Sequence, residues 1–150
     1  FMGYTVKRGA GMIGIGASAI GEVGGSYFQN IRETKAYEEM VAQDGIAAFR
    51  GCLLSPDDLE RKWIIQQLMC KFILRFEDYQ KYFQKSFKVQ FEKELGALND
   101  FSCEGILKVN PQSIVITDLG RLFIRNVAMI FDAYLNLPTQ ATYSKTLWAF

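Results

Sequence analysis

Ser55-Pro56-Asp57-Asp58, followed by apolar residues at Leu59, Trp63, Ile64, Leu68, Met69 and Phe72, is the stretch on which the fold reading turns. Serine is a preferred N-cap and proline is tolerated at the first helical position. Acids there complement the positive end of the helix dipole. The apolar spacing then predicts one helical face turned to a core. Downstream, two aromatic-rich helices are expected around Glu77–Phe83 and Ser86–Leu98, the second carrying Phe87, Phe91 and Leu95 at four-residue spacing. Their rings read as packing. Two short β runs follow, Ile106–Val109 and Ile114–Ile116, joined by the turn signature Asn110-Pro111-Gln112-Ser113. Thr117 is placed to cap a last helix running to about Leu135, which Pro138 stops. A hairpin flanked by helices predicts an α+β, mostly helical domain over residues 51–137, winged-helix-like in arrangement, with 138–150 as a tail.

Upstream the chain has another character. Eight of its thirteen glycines fall in the first 25 residues, so residues 1–50 read as loop-rich. Within them Met12–Ile15 is expected as a short buried strand, and the small residues through Gly25 as loop. A surface helix is expected from Asn30 to Val41, ended by Asp44-Gly45. The chain opens Phe1-Met2, which suggests a piece excised from something longer.

Composition limits the chemistry. The 150 residues are enough for one ordinary globular core, and 17 basic against 16 acidic side chains leave a net charge of +1. No third of the chain carries the basic excess that nucleic-acid or anionic-membrane binding requires, so neither partner is expected. There is no histidine, which excludes Ser-His-Asp, Cys-His and HExxH chemistries. Cys52, Cys70 and Cys103 are too scattered for a zinc ribbon or a local iron–sulfur cradle, and suggest reduced thiols in a cytoplasmic protein. No apolar run reaches the length of a membrane span. Lys7 and Arg8 precede a stretch ending in Ala17-Ser18-Ala19, but its glycines make a poor signal-peptide helix.

Two patterns qualify as candidate sites. Gly9-Ala10-Gly11-Met12-Ile13-Gly14 and Gly14-Ile15-Gly16-Ala17-Ser18-Ala19 match dinucleotide fingerprints literally. The first precedes its strand and the second runs into further glycines, so the strand–turn–helix context is missing. What remains is a turn whose backbone can approach a ligand closely. Separately, Asp118, Arg121, Arg125 and Asp132 share one face of a continuous helix, offering two forked cations to a carboxylate; the plainer alternative is an Asp118–Arg121 pair.

Several stretches together resemble one family. Gly3-Tyr4-Thr5, Gly14-Ile15-Gly16-Ala17-Ser18-Ala19-Ile20, Gln29-Asn30, Arg50-Gly51, Gln67-Leu68-Met69-Cys70, Gly120-Arg121-Leu122 and Arg125-Asn126 through Met129-Ile130-Phe131-Asp132-Ala133-Tyr134-Leu135 look like the C-terminal third of oxygen-independent coproporphyrinogen III oxidase, a radical S-adenosylmethionine enzyme of haem biosynthesis. The resemblance implies oxidative decarboxylation of two propionates of coproporphyrinogen III to vinyl groups, giving protoporphyrinogen IX. It implies a four-iron four-sulfur cluster and S-adenosylmethionine, whose deoxyadenosyl radical abstracts a propionate hydrogen.

The family's CxxxCxxC loop is absent from this chain. The chain alone is therefore expected to hold no cofactor, to be inactive, and to need the N-terminal barrel whose tail end residues 1–50 would form. The full-length protein is expected as a cytoplasmic monomer. Ile20 corresponds to a family isoleucine lying against a second S-adenosylmethionine, with Gly16 and Ser18 shaping the turn beside it. Arg121 and Arg125 are candidate contacts to the acidic substrate. Some members carry Gln before the Gly-Tyr pair where this chain has Met2. A haem-chaperone relative and a free-standing winged-helix interaction module are the alternative readings.

Overall fold

A computed structural model describes residues 11–135. The expectations for Gly3-Tyr4-Thr5, Pro138 and the 138–150 tail lie outside the described residues. The described chain divides between Leu59 and Glu60 into two compact units.

The first unit is a three-stranded antiparallel sheet with one helix. Strands β1 (Ile20–Val23) and β2 (Ser26–Asn30) form a hairpin, and β3 (Ala48–Leu53) pairs with β2 on its other side. Gly24 and Gly25 both take positive φ, 59° and 76°, which is what a two-residue type I′ hairpin turn demands. The expected loop through Gly25 is therefore a hairpin. Met12–Ile15 is not a strand: Met12 makes a single bridge to Glu22, and Ile15 is 88% exposed. An apolar run of four was too short to distinguish a strand from an exposed approach to one. Helix α1 (Thr34–Asp44) starts four residues later than expected, because the Glu33 carboxylate accepts from the backbone N–H groups of Lys35 and Ala36. Gly45 ends it at φ 76°, as Asp44-Gly45 predicted.

Helix α2 (Pro56–Lys71) begins at the end of the first unit and runs into the second. The Ser55 hydroxyl accepts from the Asp58 N–H at 3.2 Å while the Asp58 carboxylate accepts from the Ser55 N–H at 2.9 Å, a reciprocal cap. The second unit then adds β4 (Ile73–Arg75), α3 (Phe76–Phe83), α4 (Phe87–Gln90), α5 (Glu92–Cys103), β5 (Leu107–Asn110), β6 (Ser113–Ile116), α6 (Asp118–Leu122) and α7 (Ile124–Met129). Its sheet is antiparallel in the order β4-β6-β5. The predicted hairpin is β5–β6. Strand β4 was not predicted, since Phe72 reaches positive φ (57°) without a glycine to mark the helix end.

Two expected helices are broken. Phe91 (φ −120°, ψ 36°) separates α4 from α5, and Phe123 (φ −109°, ψ 13°) separates α6 from α7. The first break seats Phe91, fully buried, against Tyr79, Phe87 and Phe131, with ring centroids 5.8, 5.2 and 5.9 Å away. Burial of such a ring outweighs the backbone hydrogen bonds lost at one helix turn. Ile64, Leu68, Leu74, Leu98, Leu107, Ile114 and Val127 complete the apolar core of this unit. Glu60, buried, is satisfied by the Tyr79 hydroxyl and the Lys85 ammonium. Arg61 donates to Glu94 at 2.9 Å and to the Phe131 carbonyl at 3.2 Å, tying α2 to α5 and to the segment after α7. No helix among the described residues is long and apolar enough to cross a membrane.

Candidate functional site

The turn from Gly14 to Ile20, singled out for its glycines, is fixed by side chains that the glycine pattern does not reveal. Asn30, 7% exposed at the end of β2, donates through Nδ2 to the Gly14 carbonyl at 3.2 Å and the Gly16 carbonyl at 3.0 Å. The Gly16 N–H donates to the Tyr37 hydroxyl on α1 at 3.0 Å. The Ser18 N–H reaches the Ile31 carbonyl at 2.9 Å, and Gln29 Nε2 donates to the Ser18 carbonyl at the same distance. Gln29 Oε1 in turn accepts from Arg50 Nε at 2.8 Å and Nη2 at 2.5 Å.

These ties hold an otherwise unfavourable backbone. Gly16 has φ 105° and Ser18 φ 62°, and a left-handed non-glycine residue costs roughly 1–2 kcal/mol. At Gly14 a Cβ would stand 2.6 Å from the Ile20 carbonyl oxygen, so the turn closes only over a glycine. At Gly16 a Cβ would meet nothing within 4 Å. The turn thus presents backbone, not side chain, on its open side. It delivers Ile20, half-buried, to the first position of β1, directly paired with Gln29, which is itself paired with Arg50. Directly paired residues point to the same face of a sheet. That face joins an apolar side chain, a carboxamide and a guanidinium, a set suited to a ligand with both an apolar body and a carboxylate.

The two arginines on the other candidate face belong to the second unit. Arg121 lies 3.5 Å from the Asp118 carboxylate, both side chains being exposed, and its guanidinium sits 4.7 Å from the centre of the Phe72 ring. Arg125 is exposed on α7. The break at Phe123 means that the spacing computed for one continuous helix does not describe how these residues align.

The cysteines stand on separate elements. Cys52 is in β3, Cys70 in α2, and Cys103, exposed, ends α5; burial pushes the Cys70 thiol above its ordinary value, with Lys71 pulling the other way. No three potential metal-ligating side chains converge among the described residues. They do not fit an iron–sulfur cluster.

No protein-family model matches the chain. Its fold is found in a radical S-adenosylmethionine enzyme: the solved structure of Escherichia coli coproporphyrinogen III oxidase superposes with a TM-score of 0.82 at 36% identity, covering 89% of this chain and 31% of that one. More particularly, the chain matches the C-terminal part of oxygen-independent coproporphyrinogen III oxidases. It is 37% identical over 135 residues to the one from Salmonella typhimurium, covering 90% of this chain and 30% of the relative. Identity to the Helicobacter pylori oxidase is also 37%, over 147 residues, 98% of this chain and 32% of the relative. The chain therefore spans about a third of the length of the curated relatives it matches.

Proposed function

We propose that this chain serves as the C-terminal part of an oxygen-independent coproporphyrinogen III oxidase, working in the oxidative decarboxylation of coproporphyrinogen III to protoporphyrinogen IX. Similarity over 90–98% of the chain to proteins carrying that name is the observation that supports it. In this reading the first unit, through Leu59, belongs to the tail end of a radical S-adenosylmethionine barrel. The second unit, from Glu60, is a helical domain of winged-helix-like arrangement, the boundary expected at 50/51 being displaced because β3 (Ala48–Leu53) crosses it, and the whole protein is a cytoplasmic monomer.

S-adenosylmethionine, when bound, supplies the radical that takes a hydrogen from a propionate side chain. The part of this chain is to position. Ile20 offers an apolar contact to S-adenosylmethionine or substrate, and its rigid placement follows from the hydrogen bonds around Gly14, Gly16 and Ser18. A preset turn loses little conformational freedom when a ligand docks. The described cysteines do not form a cluster site, so the cluster would be held by the part of the protein that this chain does not match. Arg121 and Arg125 would meet substrate propionates only if α6 and α7 face the tetrapyrrole.

Joining this chain to the N-terminal two-thirds of the Salmonella typhimurium oxidase tests the reading. The chimera, with its cluster reconstituted, is expected to convert coproporphyrinogen III to protoporphyrinogen IX. A folded, cluster-loaded chimera with no turnover would overturn it.

A further inference from the structure

We propose that Tyr37, on α1, is a positioning residue for ligand binding, acting through Gly16 on the turn that carries Ile20. The inference rests on the reading of the Gly14–Ile20 turn as ligand-facing and adds to it the group that sets the shape of the turn from outside.

Gly16 sits at φ 105°, where glycine has little conformational preference of its own. Its shape is therefore decided by what its two peptide groups bond. The Gly16 N–H lies in the rigid peptide plane shared with Ile15 and donates to the Tyr37 hydroxyl at 3.0 Å; the Gly16 carbonyl lies in the plane shared with Ala17 and accepts from Asn30 Nδ2, also at 3.0 Å. Two held planes fix both torsions between them. The same carbonyl accepts from the Ala19 N–H at 3.3 Å, closing the turn immediately before Ile20. A rotation at Gly16 is thus passed on to Ile20.

Tyr37 is itself firmly placed. It lies in the first turn of α1, where its N–H donates to the Glu33 carbonyl at 2.9 Å and the Glu33 carboxylate holds the N–H groups of Lys35 and Ala36. No residue of α1 is buried in the core, and Tyr37 is half-buried, so its ring is not a core ring. The hydroxyl is what joins this helix to the turn, 21 residues away in sequence. Losing it removes a hold on Gly16 while leaving the packing of the ring intact.

The test is made in the cluster-loaded chimera with the Salmonella typhimurium oxidase, where Tyr37→Phe removes the hydroxyl and keeps the ring. The variant is expected to raise the KM for S-adenosylmethionine or for coproporphyrinogen III roughly threefold to tenfold, the size of one neutral hydrogen bond, with kcat and melting temperature nearly kept. That split separates positioning from a structural role, which would lower the melting temperature and leave both KM values alone. 3-Fluorotyrosine in place of Tyr37, a weaker acceptor of the same shape below the pH at which it ionises, is expected to raise the same KM by less. It carries the test should Tyr37→Phe fail to fold. Wild-type KM values for both ligands, whatever the melting temperature, would overturn the positioning role; with Ile20→Ala impaired in the same chimera, the ligand-facing reading would survive that result. Ile20→Ala with turnover and both KM values unchanged would overturn the ligand-facing reading itself, and the role of Tyr37 with it.

Discussion

Asn30 holds Gly16 in place: its buried carboxamide donates to the Gly16 carbonyl at 3.0 Å, and the same nitrogen reaches Gly14 at 3.2 Å. Two carbonyls fourteen and sixteen residues away thus depend on one amide group. Asn30→Ala leaves them without their donor, at a cost of about 1–3 kcal/mol for each group that water cannot reach. Asn30→Asp is expected to be worse, because a carboxylate would face two carbonyl oxygens. Thermal unfolding reads the loss, and amide exchange should quicken first between Gly14 and Ile20.

Gly120 packs under the second unit's sheet so closely that a Cβ would run into the Ile106 carbonyl. That contact is backbone, which cannot swing aside, while Thr117 Oγ1 pins the same carbonyl at 3.0 Å and caps α6 through the Gly120 N–H at 3.0 Å. Gly120→Ala should therefore destabilise by at least the ~1–3 kcal/mol of an overpacked core. Gly96→Ala, with open space at its Cβ in mid-helix, should stabilise by a few tenths to about 1 kcal/mol. Denaturant midpoints of the two variants should move in opposite directions.

Thiol reactivity separates the cysteines. Only the thiolate is nucleophilic, and burial raises the Cys70 thiol, so at pH 8 it holds less thiolate than an ordinary cysteine. Exposed Cys103 should be alkylated by iodoacetamide well before Cys70, and the Cys70 rate should still be climbing at a pH where an ordinary thiol has levelled off. Peptide mapping of a pH series checks the order; equal rates would contradict it.

Ile20 is half-buried at the start of an edge strand, not in the apolar core of either unit. Ile20→Ala should cost well under the roughly 2–5 kcal/mol of a core isoleucine while lowering turnover in the chimera with the Salmonella typhimurium oxidase. A large drop in melting temperature with proportionate loss of turnover would make it ordinary packing.

Local signals read well from this sequence where one residue sufficed to make them. Ser55-Pro56-Asp57-Asp58 capped α2, Gly45 closed α1, and Asn110 through Ser113 sat at the turn between β5 and β6. What escaped notice depended on partners distant in sequence. Phe91 and Phe123 interrupt helices without a glycine or proline, the first burying its own ring among those of Tyr79, Phe87 and Phe131. The Gly14–Ile20 turn was visible as glycines, but its geometry is set by Asn30, Gln29 and Tyr37, fourteen to twenty-one residues on from the groups they bind at Gly14 and Gly16 and eleven on from Ser18. Gln29-Asn30 and Arg50-Gly51 stood out only as points of family resemblance, and their hydrogen bonds give them a physical role.

The central claim is that the Gly14–Ile20 turn faces the ligand, and amide hydrogen exchange across that turn tests it most directly. In the cluster-loaded chimera, adding S-adenosylmethionine and coproporphyrinogen III should slow exchange between Gly14 and Glu22 while leaving β5 and β6 unchanged. Unaltered exchange in that segment, under conditions where both ligands are shown to be bound, would contradict the account.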